Sequence, residues 1–287
     1  MKKKLKWILG GLFLVAVLVW GSQALQSITT PAIGLLEIEG PINDSLNYLK
    51  AIKALEENDR VKAVLVRVDS PGGSVGPSQE IYGALLRVKE KKPLVVSMGS
   101  VSASGGYYIA CAADTIYALP GTLTGSIGVI LAFLDLSEGL GKIGVKSERI
   151  ASGEMKDSGS PFKTLTDRER IYFQRLVEDV HEQFVEAVAL SRDIPPETVR
   201  EFADGRAFTG RQALELGLVD RLGGLDDALE EAKEKAGIVG KARFIRPEIP
   251  GGLLDTIRKA LGVLSSFDLG ATATVYGRLI RLEYSID

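Results

Sequence analysis

A chain of 287 residues with 45% hydrophobic side chains is long enough to bury one large core or two small ones, which excludes a disordered protein. Its 35 basic and 37 acidic residues leave a net charge of -2, so the balance offers no footprint for nucleic acid or another polyanion. The single cysteine, Cys111, rules out an intrachain disulfide and, set in the apolar run from Tyr107 to Ala112, reads as a small buried hydrophobe.

Lys2, Lys3, Lys4 and Lys6 precede an apolar run from Trp7 to Trp20 that stays uncharged as far as Leu25. Residues 7–25 are therefore expected to cross a cell membrane once, with residues 1–6 as a basic cytoplasmic end and the rest of the chain outside the cytoplasm. Ser22-Gln23-Ala24 offers the competing reading of a cleaved secretory signal, but the apolar run is longer than a usual signal core. Residues 26–32 form a linker, 33–237 the main domain, and 238–287 a C-terminal extension. In that extension Leu253, Ile257, Leu261 and Leu264 share one helical stripe, which suits packing on the chain's own domain, a contact with a neighbouring subunit, or the membrane surface.

Ile33 to Gly40 reads as a first strand, and Leu46, Leu49, Ile52 and Leu55 as a helix with Asn43, Asp44 and Ser45 as cap candidates. Val61 to Val68 is almost wholly apolar and β-branched, as a strand covered on both faces requires. Pro77 is expected to open a helix through Ile81, Leu85 and Val88, followed by a strand from Leu94 to Met98. Ser100 to Ala113 reads as a loop of small residues that turns helical near Gly105. Thr115 to Leu119, Ile127 to Leu131 and Val145 to Ile150 are strand candidates, the last two separated by the turn-rich segment Ser137 to Gly144. Thr166 and Glu169 form a capping box for a long helix to Arg192, and a final helix runs from Leu225 to Lys235. This alternation predicts an α/β domain with a mainly parallel sheet and a helical C-terminal part.

With one histidine and one cysteine, neither a two-histidine zinc site nor a thiolate cluster is available, and no metal or other cofactor is expected. His181 would have to serve any serine-histidine-acid triad, yet it lies inside the long amphipathic helix and reads as a boundary residue. Gly141-Lys142 is followed by Ile143, which breaks the phosphate-loop pattern, and Gly105-Gly106 lacks the third glycine of a dinucleotide fingerprint. Two small-residue turns remain, Ser70 to Ser74 and Ser100 to Gly106, each following a buried strand. Such turns present backbone N–H groups to an oxyanion, with Gly73 and Gly105 as the candidate donors and Ser104 as the candidate nucleophile at a helix start. A serine without a usable histidine needs another base, for which a neutral lysine amine serves. Lys156 lies in a polar turn where Glu154 and Asp157 would oppose its neutral form, so both carboxylates are expected to point away.

Five motifs now stand in order. They are Asp69-Ser70-Pro71-Gly72-Gly73, Ser102 to Tyr108, Leu123 to Val129, Ser152-Gly153 through Lys156-Asp157, and Ala203 to Arg206 with Gly210 to Ala213. In these the chain resembles the serine-lysine signal peptide peptidases in their short, single-repeat form. The resemblance implies a Clp protease/crotonase-like spiral of β-β-α units over residues 33–237. It also implies a Ser104 nucleophile, a Lys156 base, oxyanion positions at Gly73 and Gly105, and a Ser126 hydroxyl that orients the lysine. Hydrophobic peptides such as remnant signal peptides are the implied substrates, and a homo-oligomer is the implied assembly, in which Ser104 and Lys156 pair either within one subunit or between neighbouring subunits. Three other readings compete: a related peptidase cutting a hydrophobic segment of a specific membrane protein, a noncatalytic assembly module, and a CoA-thioester enzyme of the same fold.

Overall fold

The computed structural model describes residues 31–240, 242–247 and 282–284. The expected anchor at residues 7–25 and the apolar stripe Leu253 to Leu264 lie outside them. Among the described residues no helix is long and apolar enough to cross a membrane.

The chain begins with β1 (Ala32–Glu39), α1 (Leu46–Glu57), β2 (Val61–Ser70) and a short β3 (Gly73–Ser74). Then come α2 (Val75–Lys89), β4 (Leu94–Ala103), α3 (Gly105–Ala110), β5 (Thr115–Ala118), β6 (Leu123–Gly125) and β7 (Ile130–Leu131). Helices α4 (Ser137–Lys142), α5 (Asp167–Arg192) and α6 (Pro196–Arg200) lead to β8 (Ala207–Thr209) and α7 (Gly210–Glu215). The last described elements are β9 (Arg221–Leu222), α8 (Leu225–Lys235), β10 (Arg243–Ile245) and β11 (Leu282–Tyr284). Strands β10-β1-β2-β4-β5-β9 lie side by side, each neighbour parallel, as the strand-helix alternation predicts.

Period-two alternation splits the apolar side chains of the central strands between two layers. Leu36, Ile38, Val64, Val66, Val68, Val96 and Met98 face the larger core with α1, α2, α3 and α5. Ile33, Leu35, Ala63, Leu65 and Val95 face the other side, where Ala228 and Ala232 of α8 let that helix lie close to the sheet. Covering both faces is what a parallel sheet of near-continuous apolar strands demands. Cys111 is buried in the larger core, and burial pushes its thiol up to about 12, the state of an inert hydrophobe.

Several boundaries differ from the sequence expectations. Helix α2 starts at Val75, two residues before Pro77, because Ser74 takes the extended N-cap conformation and Pro77 falls within the first turn, where no helical donor is needed. Residues 100–103, expected as loop, continue β4, since β6 pairs with Val101, Ser102 and Ala103. The expected strand from Ile127 shrinks to Ile130–Leu131, and Val145 to Ile150 forms no strand at all. Only Val145 and Ile150 of that stretch are apolar, and Ile150 is 100% exposed, so the segment has no buried face with which to join a sheet. Helix α4 occupies part of the expected turn segment Ser137 to Gly144. The capping box holds as expected: Thr166 N–H donates to Glu169 Oε2 at 2.9 Å and Glu169 N–H to Thr166 Oγ1 at 3.3 Å.

Candidate active site

Two chain reversals meet at the ends of β2 and β4. Between Val68↔Met98 and Ser70↔Ser102 the register slips, so three residues of β4 stand against Asp69 alone. Asp69 fills the irregularity: its Oδ1 accepts the Val101 N–H at 3.0 Å, and a side chain at Gly99 would lie 2.5 Å from its carboxyl carbon. The slip carries the end of β4 past the end of β2, so that Ser104 stands at a strand-to-helix turn. Sequence reasoning quoted Asp69 within a motif but gave it no role. Its signal was an acid closing a strand of buried apolar residues.

Ser104 is fully buried and adopts φ 53°, ψ -122°, outside the conformations a serine prefers, at a cost of roughly 1–3 kcal/mol. Its N–H donates to Gly125 O at 2.8 Å, and its carbonyl accepts from Tyr108 N–H at 2.9 Å. The chain thus holds a sharp turn that aims a serine hydroxyl away from the backbone. The β4–β6 register ends at Ala103↔Gly125, and the Ser104 N–H bond to Gly125 O keeps Ser126, the next residue and also at positive φ (50°), close to the Ser104 turn. The Ser104 hydroxyl has no hydrogen-bond partner among the described residues.

The glycines are set by close approach. A Cβ at Gly105 would sit 2.5 Å from Ser78 Oγ and 3.4 Å from Gly72 Cα, and one at Gly106 would sit 2.9 Å from Ser70 O. The start of α3 therefore packs directly on the turn after β2. At Gly73 a Cβ would come within 2.3 Å of Ile42 O. Ile42 N–H donates to Gly72 O and Ser74 N–H to Ile42 O, each at 2.8 Å. Successive residues of an extended chain point their amides to opposite sides, so Gly73 turns its own N–H away from Ile42.

On that open side lies β11. It runs antiparallel to both neighbours in a separate three-stranded sheet, Tyr284 opposite Gly73, Glu283 opposite Ser74 and Ile130, and Leu282 opposite Leu131. The groove between β3 and β7 thus accepts an extended peptide segment by main-chain pairing on two edges.

Lys156 stands apart. It is exposed in a turn where its N–H donates to Gly153 O at 3.1 Å, and its amine makes no hydrogen bond or ion pair among the described residues. One chain brings together Ser104, Gly73, Gly105 and Ser126, but it does not bring Lys156 to the Ser104 hydroxyl. As expected, both acidic neighbours are occupied elsewhere: Asp157 accepts from Arg149 and Glu154 from Arg168. His181 is half-buried on α5 and lines a cavity of about 190 Å3 with Gly128, Val129, Glu178 and Asp204, which Ser104 does not reach. Its Nε2 has no partner among the described residues.

A parallel sheet covered on both faces, a buried serine at a strained strand-to-helix turn and a glycine amide turned toward an added strand fit a serine peptidase of the Clp protease-like α/β class; the Clp protease family model matches residues 34–124. The chain belongs to peptidase family S49, whose model matches residues 87–239. Relatives include a Synechocystis sp. protein named as a protease, 47% identical over 215 residues that cover 74% of this chain and 77% of that protein. An Enterococcus faecium protein named as a signal peptide peptidase of SppA type is 40% identical over 190 residues, 66% of this chain and 55% of its own length. The chloroplastic serine protease SPPA of Arabidopsis thaliana is 33% identical over 286 residues, which cover 96% of this chain and 41% of that protein. The chain thus spans about half or less of the latter two relatives.

Proposed function

We propose that the chain is a membrane-anchored endopeptidase that cuts hydrophobic peptides, remnant signal peptides among them, with a Ser104–Lys156 dyad. The observation that carries this reading is the buried, unpartnered Ser104 hydroxyl at a strained turn, next to a Gly73 amide directed at an extended strand. In this reading Ser104 Oγ attacks the substrate carbonyl while the Lys156 amine takes its proton. The Gly73 and Gly105 N–H groups stabilise the oxyanion. The same ammonium then returns the proton to the leaving amine, and water, deprotonated by the amine, releases the acyl group. Ser126 orients the amine in this reading; support comes from its position directly after Gly125, whose carbonyl accepts the Ser104 N–H.

The dyad forms between copies of the chain. Support comes from the exposed Lys156 and the unpartnered Ser104 hydroxyl within one chain, a site that a neighbour's lysine would complete. Burial at such an interface disfavours an ammonium, as a lysine base requires. The apolar run at residues 7–25 holds the oligomer at the cell membrane with the peptidase domain outside the cytoplasm, where signal peptides released by secretion remain.

The test is hydrolysis of a hydrophobic signal-like peptide by the full chain in detergent, with oligomer size measured in parallel. Ser104→Ala and Lys156→Ala are each expected to keep their assembly and lose activity by at least about 10^3-fold. A Lys156→Ala variant that remains active would overturn the base assignment.

A further inference from the structure

The turn that carries Lys156 is built from charged residues whose signs would spoil a lysine base unless each were held in place. Glu154 and Asp157 lie two residues before and one residue after the lysine, within easy reach of its amine. A carboxylate beside an ammonium favours the protonated form by an amount worth one to three pH units. Yet Asp157 is bound by Arg149 Nη1, which also donates to Ser160 Oγ, and the Arg149 guanidinium lies 4.6 Å from the centroid of the Phe162 ring. Arg149 thus holds the turn at Asp157, Ser160 and Phe162. The Arg149 and Asp157 side chains are 24% and 27% exposed, enough shielding for the pair to persist, whereas Arg168 and Glu154 are both 69% exposed and contribute less. Elsewhere on the segment Lys163 pairs with Glu169 at the start of α5 and Asp135 accepts from Ser137 and Thr164, while Lys146 and Glu148 are exposed to solvent.

We propose that Arg149 is a positioning residue for the Lys156 base: by occupying Asp157 and fixing the turn, it delivers the amine to the site free of a carboxylate partner. The proposal rests on the assignment of Lys156 as base. Arg149 touches neither substrate nor serine in this account; it acts through Asp157.

The test compares pH–rate profiles of the full chain in detergent, with thermal unfolding and oligomer size as controls. A lysine base gives activity that rises with pH as the amine loses its proton. In Arg149→Met the freed Asp157 carboxylate stabilises the ammonium, so the rising limb moves to higher pH by about one unit. In Arg149→Met/Asp157→Asn it returns to the wild-type position. A limb that stays put in Arg149→Met, or that moves but is not restored by the second change, would overturn the proposal. Should Arg149→Met not fold, Asp157→Asn alone decides. Its limb is expected to coincide with wild type because Arg149 already occupies that carboxylate, and a limb moved to lower pH contradicts the idea. Failure of the underlying base assignment is separately visible, as retained activity in Lys156→Ala.

Discussion

The two halves of the proposed dyad, the serine side and the lysine side, are built by different physics. Ser104, Gly73 and Gly105 sit where two buried strands end, and a Cβ there would meet the Ile42 carbonyl at 2.3 Å (Gly73) or the Ser78 hydroxyl at 2.5 Å (Gly105). Lys156 lies on an arm, residues 132–165, that is mostly exposed. Polar pairs at Arg149–Asp157, Glu154–Arg168, Lys163–Glu169 and Thr164–Asp135 tie it down. Close packing leaves the serine side one geometry, whereas the arm is held by a few polar pairs, one of them fully at the surface, and is left more adaptable. An arm of that kind can seat its lysine against a neighbouring copy.

The contrast is most sharply broken by adding one methyl group on each side. Gly73→Ala forces a Cβ into Ile42 O, and we expect it to abolish peptide hydrolysis and cost about 3 kcal/mol or more in an unfolding titration. Gly141→Ala, in α4 on the arm, meets nothing within 4 Å and should leave stability equal or raise it by about 0.5–1 kcal/mol, since a helical glycine is entropically costly. Equal losses from the two would refute the division drawn above.

A smaller effect is expected at the groove. Because β11 lies along β3 and β7, ending the chain at residue 281 should raise the apparent affinity for short peptides several-fold through loss of a tethered competitor. An unchanged KM would mean that the strand does not compete with substrate.

The smallest effect concerns the join between arm and α5. Burial opposes ionisation of Glu169, but the Lys163 ammonium and the Thr166 N–H and hydroxyl overcome it and hold the carboxyl at about 2, below the ordinary 4.5. A group held low in the folded state contributes stability that is present above the ordinary value and lost as pH falls through about 2. The unfolding temperature of the wild type should therefore drop more between pH 4.5 and pH 2 than that of Glu169→Gln. Parallel curves would show that this carboxylate is not linked to folding.

The same division explains what could be read from sequence. The serine side was legible because close approach restricts residue type: glycine at 73, 105 and 106 and small residues from 100 to 104 leave a recognisable pattern. Even there the extension of β4 to Ala103 was missed, since Ser100, Ser102 and Ala103 lack the apolar bulk that marks a strand and pair through β6 instead. Asp69 was missed as well, because its work is to fill a register slip that only the paired strands reveal. On the arm, Val145 to Ile150 has apolar residues only at its two ends, with Lys146, Ser147, Glu148 and Arg149 between them, and it finds no sheet edge to pair with. Lys156 stood out by its polar turn and by the family resemblance, its acidic neighbours spoke against it, and the engagement of both carboxylates by Arg149 and Arg168 meets that objection.

The central claim is that each catalytic site takes its serine from one copy and its lysine from the next. Mixing Ser104→Ala and Lys156→Ala chains, each expected to be inactive alone, and allowing subunits to exchange tests it directly. If sites form between copies, a Lys156→Ala chain beside a Ser104→Ala chain rebuilds an intact pair, and random assembly restores roughly a quarter of wild-type activity. A mixture that exchanges subunits and remains inactive would place both residues within one chain and contradict the account.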